Sequence, residues 1–264
     1  MTNIYSKEKL IEKLLAISKR GFVPNARHGN HGGIGNTLED LLGIAENNLP
    51  IANAVEWELK TQRLKTSSLI TLFHMEPSPR ALHFVPQIFL LNYGWKHKQA
   101  GTKYPSNEMS FRQTINTISH SDRGFKVIID RKAKQVSVSF SAEHVDPRHS
   151  SWLHSVKSKV GLRELDPKPY WGFDDLKNKA GVKLLNCFYV QAETKKTKRT
   201  ECYHFKKLTI LKKFSFNHFL DALENGQLLI DFDARTGNNH GTKFRLKQDC
   251  LPTLYEDSSV IFDA

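Results

Sequence analysis

The chain has 264 residues, a formal net charge of +12, 39% hydrophobic and 10% aromatic side chains. That length holds one large domain or two lobes around a sizeable core, and that composition excludes a disordered chain. The charge, with a pI near 9.5, predicts a polyanionic partner, because clustered Lys and Arg release condensed counterions from phosphates.

In chain order, Ser6 caps a predicted helix from Lys7 to Lys19, with Leu10, Ile11, Leu14, Leu15 and Ile17 near one face. Asn25 to Asn36 is a glycine-rich loop whose open backbone can approach a phosphate or another segment, but it lacks the Gly-Lys-Ser/Thr ending of a P-loop. Thr37 to Ile44 is the next predicted helix, with Leu38, Leu41, Leu42 and Ile44 apolar. Glu39 is the odd acid on it, either exposed, offsetting the helix dipole, or directed at a metal site.

Asn53 to Thr61 is read as a strand, so Glu58 and Lys60 point to one face. A carboxylate beside an ammonium on a rigid edge can hold a hard divalent cation and orient water for phosphodiester hydrolysis; an ordinary surface pair is the alternative. Ser67 to Met75 reads as a strand broken by Pro77 and Pro79, and Ala81 to Tyr93 continues the core. Phe125–Asp130 and Gln135–Ser141 form a predicted hairpin around the basic turn from Arg131 to Lys134. Val182 to Ala192 is a predicted core strand, and Lys195 to Arg199 a basic hairpin tip or phosphate contact. Ser215 to Asn225 is a helix stopped by Gly226. Asp231 to Arg245 packs charged and amide groups around two glycines. It reads as a hairpin loop, and its Arg, Lys, His, Asp and Asn side chains are those that read base edges in the major groove.

Cys187, Cys202 and Cys250 are widely spaced, match no C-x-x-C metal pattern and leave an odd thiol if two pair, which predicts a reducing cytoplasm. The charged Lys7-Glu8-Lys9 start contains no signal-peptide core and no later run reaches the length of a membrane span, so no membrane partner is expected.

Taken in this order, Gly33 to Ile44, Trp57-Glu58-Leu59-Lys60-Thr61, Asp233 to Gly237 and His240 to Arg245 resemble the MvaI/BcnI family of type II restriction endonucleases. That family shares the PD-(D/E)xK nuclease fold with the mismatch-repair nickase MutH. The resemblance is anchored in the first quarter and the C-terminal region. It implies an α/β (α+β) fold, a mixed sheet flanked by helices, within a single domain over 1–264. Its catalytic and recognition lobes would surround a DNA cleft, with catalytic motifs in 1–120 and the base-recognition loop in 226–250. It further implies a monomer that cleaves double-stranded DNA with Mg²⁺ at a short CC...GG type site, beside a cognate DNA methyltransferase.

Carried over by position, Glu58 matches the family's second metal-binding acid, Lys60 its catalytic lysine, and Glu39 the helix-borne acid of MutH relatives. The first acid, an Asp shortly before the Glu of E-x-K, is missing, and Asn53 is the best match for a metal-site residue there. An amide is isosteric with a carboxylate but neutral and would weaken metal binding, so an inactivated variant is one reading and Glu56 as replacement acid another. Asp233, Arg235, His240, Lys243 and Arg245 correspond to the DNA-binding loop. A MutH-like repair nickase and a noncatalytic sequence-specific DNA-binding protein are the other two readings.

Overall fold

A computed structural model of the chain describes residues 6–25, 33–44, 57–197 and 200–264. These fall into two compact units, one of Met1–Ile70, Ala180–His218 and Gln248–Ala264, the other of Thr71–Lys179 and Phe219–Lys247. Helices and strands are numbered below in chain order.

The first unit opens with α1 (Lys7–Ser18), capped as expected by Ser6, whose Oγ accepts the Lys9 N–H at 3.2 Å. α2 (Gly33–Leu42) starts earlier than the apolar pattern suggested, because Gly33 to Asn36 are helical rather than loop. Glycine is required at its first position: a Cβ on Gly33 would lie 2.6 Å from Asn25 Nδ2 and 2.7 Å from the Tyr203 hydroxyl. The remainder of the glycine-rich run, 26–32, lies outside the described residues.

β2 (Trp57–Arg63) runs parallel to β9 (Asn186–Lys196), with Glu58 opposite Cys187 and Lys60 opposite Tyr189. β9 pairs antiparallel with β10 (Glu201–Phe214), and β10 carries β1 (Val23–Pro24) and β13 (Tyr255–Asp263) on its other edge. The sheet is therefore mixed, as the sequence resemblance implied. Trp57, Phe188, Val190, Leu208 and Ile210 on one face join Leu10, Leu14, Ile17, Ile34 and Leu38 of the two helices in a single buried cluster. Burying those apolar surfaces is the main stabilisation of this unit, at roughly 1.5–3 kcal/mol per large side chain. Since side chains alternate, Glu58, Lys60 and Gln62 take the opposite face together with Cys187, Tyr189 and Gln191.

The strand expected over Val182–Ala192 begins only at Asn186. Val182 to Leu184 are the last turn of α5 (Phe173–Leu184), in which Leu176, Ala180 and Leu184, spaced by four, are fully buried. That 3.6-residue stripe outweighs the β-propensity of Val182.

The second unit holds a five-stranded sheet in the order β3 (Ile70–His74), β12 (Asn238–Leu246), β11 (Leu228–Arg235), β5 (Met109–Ile115), β4 (Trp95–Lys96). A three-stranded sheet of β6 (Arg123–Asp130), β7 (Gln135–Val145) and β8 (Tyr170–Gly172) accompanies it. Its helices are α3 (Leu90–Tyr93), α4 (Ser150–Val160) and α6 (Phe216–Glu224), the last beginning at the division and ending before Gly226, as expected. Aromatic rings fill the core: Phe89 lies 4.8 Å from Phe111 and 5.3 Å from Phe232 between ring centres. Phe89 belongs to a π-helical segment, Phe84–Phe89, that runs into α3, so the apolar run after Ala81 is helical. The β6–β7 hairpin matches the expectation with longer strands, and its tip residue Arg131 pairs with Glu224 at 2.7 Å and Asp221 at 3.1 Å.

Asp231 to Arg245 was expected to form a loop and is instead mostly strand, with Thr236 and Gly237 making the turn between β11 and β12. The period-two burial of Ile230, Phe232 and Ala234, and of Thr242, Phe244 and Leu246, overrides the polar composition of the intervening residues. No helix among the described residues is long and apolar enough to cross a membrane.

Candidate active site and nucleic-acid interface

The polar face of the first unit's sheet carries the E-x-K pair. Lys60 Nζ donates to Glu58 Oε1 at 3.0 Å, with the side chains 14% and 25% exposed respectively. Neighbouring groups on the same face are locked by hydrogen bonds, as a largely buried polar surface demands. The Tyr189 hydroxyl donates to Gln62 Oε1, and Gln191 Nε2 donates to Asp249 Oδ1 at 3.1 Å. Burial, reinforced by Asp249, pushes the Tyr189 hydroxyl well up, so it remains a neutral donor. Cys187 is fully buried, and burial pushes its thiol up to about 12, although Lys60 pulls the other way.

This donor set determines what ion could be held. A buried sulfur is a soft donor ill-suited to a hard cation, which leaves the Glu58 carboxylate as the hard oxygen donor beside the lysine. Among the described residues no group of three or more His, Cys, Asp or Glu could by itself hold a metal ion. One carboxylate on a rigid strand fits a hard cation that retains water or phosphate oxygens, the habit of Mg²⁺, rather than an all-protein cage. Asn53 and Glu56 lie outside the described residues. Glu39 is half-buried on α2, the helix whose apolar side packs on the opposite face of β2 from Glu58 and Lys60.

The five residues of the expected reading head all lie in the second unit's sheet. Asp231, Asp233 and Arg235 alternate outward along β11, with Lys243 and Arg245 beside them on β12 and Arg112 and Thr114 on β5. Asp233 is gripped from both sides: Arg112 Nε is 2.8 Å from Oδ1 and Lys243 Nζ 3.1 Å from Oδ2. Burial alone would raise its pKa, but Lys243, then Arg112 and His240, hold the carboxyl below its ordinary value. Arg245 Nη1 donates to Asp231 Oδ2 at 3.2 Å, and Thr114 Oγ1 to Oδ1 at 2.8 Å. His240 and Gly241 together stand opposite Asp233 in a bulge, where Gly241 has φ +81°. Glu76 fastens that bulge by accepting Thr242 N at 2.9 Å and Thr242 Oγ1 at 3.0 Å.

The structure thus brings Asp233, His240 and Lys243 together, sets Arg245 beside them through Asp231, and carries Arg235 to the end of the same strand against Glu108 at 2.9 Å. Sequence reasoning passed over Arg112, Asp231, Thr114 and Glu108. Period-two alternation through Phe232 marks Asp231 as facing with Asp233, whereas Arg112 and Glu108 become neighbours only through the β5–β11 register.

A family model described as the MvaI/BcnI restriction endonuclease family matches residues 11–255. Among solved structures, the chain is similar to a restriction endonuclease MvaI–cognate DNA substrate complex, at TM-score 0.74 and 23% identity over 97% of this chain and 99% of that one. It is also similar to restriction endonuclease MvaI in the absence of DNA, at TM-score 0.53 and 23% identity over 99% of this chain and 100% of that one. No curated protein sequence matches. With the family model spanning nearly the whole length over this mixed α+β architecture, the chain belongs to the MvaI/BcnI restriction endonuclease family and is a type II site-specific deoxyribonuclease.

Proposed function

We propose that this endonuclease binds a short CC...GG type site in double-stranded DNA and hydrolyses phosphodiester bonds there with Mg²⁺, as a monomer working beside a cognate DNA methyltransferase. The observation that carries the chemistry is the Glu58–Lys60 pair, 3.0 Å apart on the polar face of β2. Glu58 would offer its carboxylate to the ion, and the Lys60 ammonium beside it would hold that carboxylate in one rotamer and add positive charge next to the phosphate oxygens. Mg²⁺ when bound supplies Lewis-acid stabilisation of the phosphoryl group. Asn53 takes the motif position of the first acid as a neutral amide, which would weaken the site, and Glu39, although its helix packs on the other face, would be the helix-borne acid only by reaching past β2, an edge strand of the sheet. Base reading falls to Asp233, Arg235, His240, Lys243 and Arg245, whose donors and acceptors suit the edges of G·C pairs. The similarity of the fold to a structure solved with cognate DNA supports this assignment.

Supercoiled plasmid is incubated with the protein and Mg²⁺, and products are separated from those of the Glu58→Ala and Lys60→Ala variants. Discrete linear fragments from the wild type, lost in both variants while gel-shift affinity is kept, are expected. Nicked circles alone would favour a MutH-like nickase, and binding lost together with cutting would make the pair structural.

A further inference from the structure

Glu108 is a carboxylate outside every motif of the sequence, and its environment is built with unusual care. It stands immediately before β5 with its side chain 5% exposed, and its Oε1 accepts Arg235 Nη1 at 2.9 Å. The guanidinium carbon of Arg235 lies 4.7 Å from the centre of the Tyr104 ring, which meets the His97 ring edge-on at 4.8 Å. The backbone holds both partners in place. Glu108 N donates to Pro105 O at 3.0 Å and Glu108 O accepts His97 N at 2.8 Å. On the facing hairpin, Met109 N donates to Thr236 Oγ1 at 2.9 Å and Thr236 N to Met109 O at 3.1 Å.

A carboxylate withdrawn from water against one cation is a poor way to gain stability, because desolvation offsets the Coulombic attraction. Such a pair makes sense where geometry is the product. The guanidinium is a planar fork of five donors. Here Nη1 is committed to Glu108 and the plane is set by Tyr104, while Nε and Nη2 make no hydrogen bond among the described residues. That edge is the one that would meet two acceptors of a guanine at once.

We propose that Glu108, with Tyr104 behind the guanidinium, is a positioning residue for sequence specificity: it sets the orientation of Arg235 before DNA arrives, so that a bidentate base contact forms without reorganisation. The inference rests on the reading of Arg235 as a base-contacting residue. Without Glu108 the arginine is released to swing toward phosphate, which trades discrimination at one base pair for sequence-independent affinity.

The test uses the full chain and a duplex selected by the wild-type protein from a random-sequence library, together with versions in which each G·C pair of that site is changed singly. Affinities are measured for wild type, Arg235→Ala, Glu108→Gln, Tyr104→Leu and the Glu108→Gln/Arg235→Ala double variant. Arg235→Ala is expected to lose roughly 5- to 150-fold of discrimination at one base pair, the span of a single bidentate contact. Glu108→Gln is expected to lose roughly tenfold at that same base pair and nothing further in the Arg235→Ala background. No loss in Arg235→Ala would sink the reading of that arginine. Loss in Arg235→Ala without loss in Glu108→Gln or Tyr104→Leu overturns the positioning role alone, as does an equal weakening at every position. If Glu108→Gln fails to fold, Tyr104→Leu alone decides, by the same base-pair signature.

Discussion

Replacing Asp233 by asparagine removes one charge from the centre of the second unit's sheet and leaves its shape almost unchanged. In the wild type the carboxylate bridges Arg112 at 2.8 Å and Lys243 at 3.1 Å, and its side chain is 18% exposed against 19% for Lys243 and 58% for Arg112. A hydrogen bond to a charged partner in a partly buried setting contributes about 1.5–3 kcal/mol, so the Lys243 contact dominates. The arm to the well-exposed Arg112 adds at most about 1 kcal/mol after solvent screening. Asp233→Asn should therefore cost about 1.5–4 kcal/mol of stability at neutral pH. The pH dependence has a definite sign. Burial would raise the Asp233 pKa, yet Lys243, Arg112 and His240 hold it below the ordinary carboxylate value in the folded state. Its stabilisation is thus fully present above the unfolded carboxyl pKa of about 3.9 and fades as pH falls through the lower folded value. Urea unfolding of both forms from pH 7 downward should show a gap that closes below about pH 4. The same substitution frees two cations, so affinity for a scrambled duplex should rise and its salt slope should steepen by roughly one phosphate contact. A stability gap independent of pH, or an unchanged salt slope, would refute the bridging role of this carboxylate.

Three further outcomes are expected. Asn53→Asp should raise Mg²⁺-dependent plasmid cutting, because it returns a charged ligand to the position that the family fills with Asp; equal rates for the two forms would remove Asn53 from the metal site. In the native protein, a thiol reagent at neutral pH should modify Cys202 and Cys250, both half-exposed, but not Cys187, which is buried with its thiol pushed up to about 12. Mass spectrometry of the labelled peptides reads this directly, and rapid labelling of Cys187 would contradict the packing beside Glu58. Gly241→Ala should destabilise by about 1 kcal/mol or more, since φ +81° is strained for any residue with a Cβ, and should weaken discrimination by moving His240. A Gly241→Ala variant with wild-type melting and wild-type sequence preference would exclude the bulge from both roles.

What the sequence determined by itself was everything carried by short periodicities. The Ser6 cap with Leu10, Leu14 and Ile17 specifies α1 within a dozen residues, and strand alternation alone puts Glu58 and Lys60 on one face. The family motifs are legible for the same reason, since each lies within one element and its immediate flank. Misjudged boundaries came where two local signals compete: Val182 reads as strand until the buried stripe of Leu176, Ala180 and Leu184 claims it for α5, and the polar run around Gly237 reads as loop until its alternate residues enter a sheet. What surrounds the pair on β2 could not be read at all, because Cys187, Tyr189 and Gln191 reach Glu58, Lys60 and Gln62 only through a parallel register. In the same way Arg112 finds Asp233, and Glu108 finds Arg235 across 127 residues, through the pairing of β5 with β11. Such registers are chosen by burial on the far face, of Trp57, Phe188 and Val190 in the first sheet and of the Phe111, Phe232 and Phe244 rings in the second, a collective packing preference that no short stretch of sequence contains.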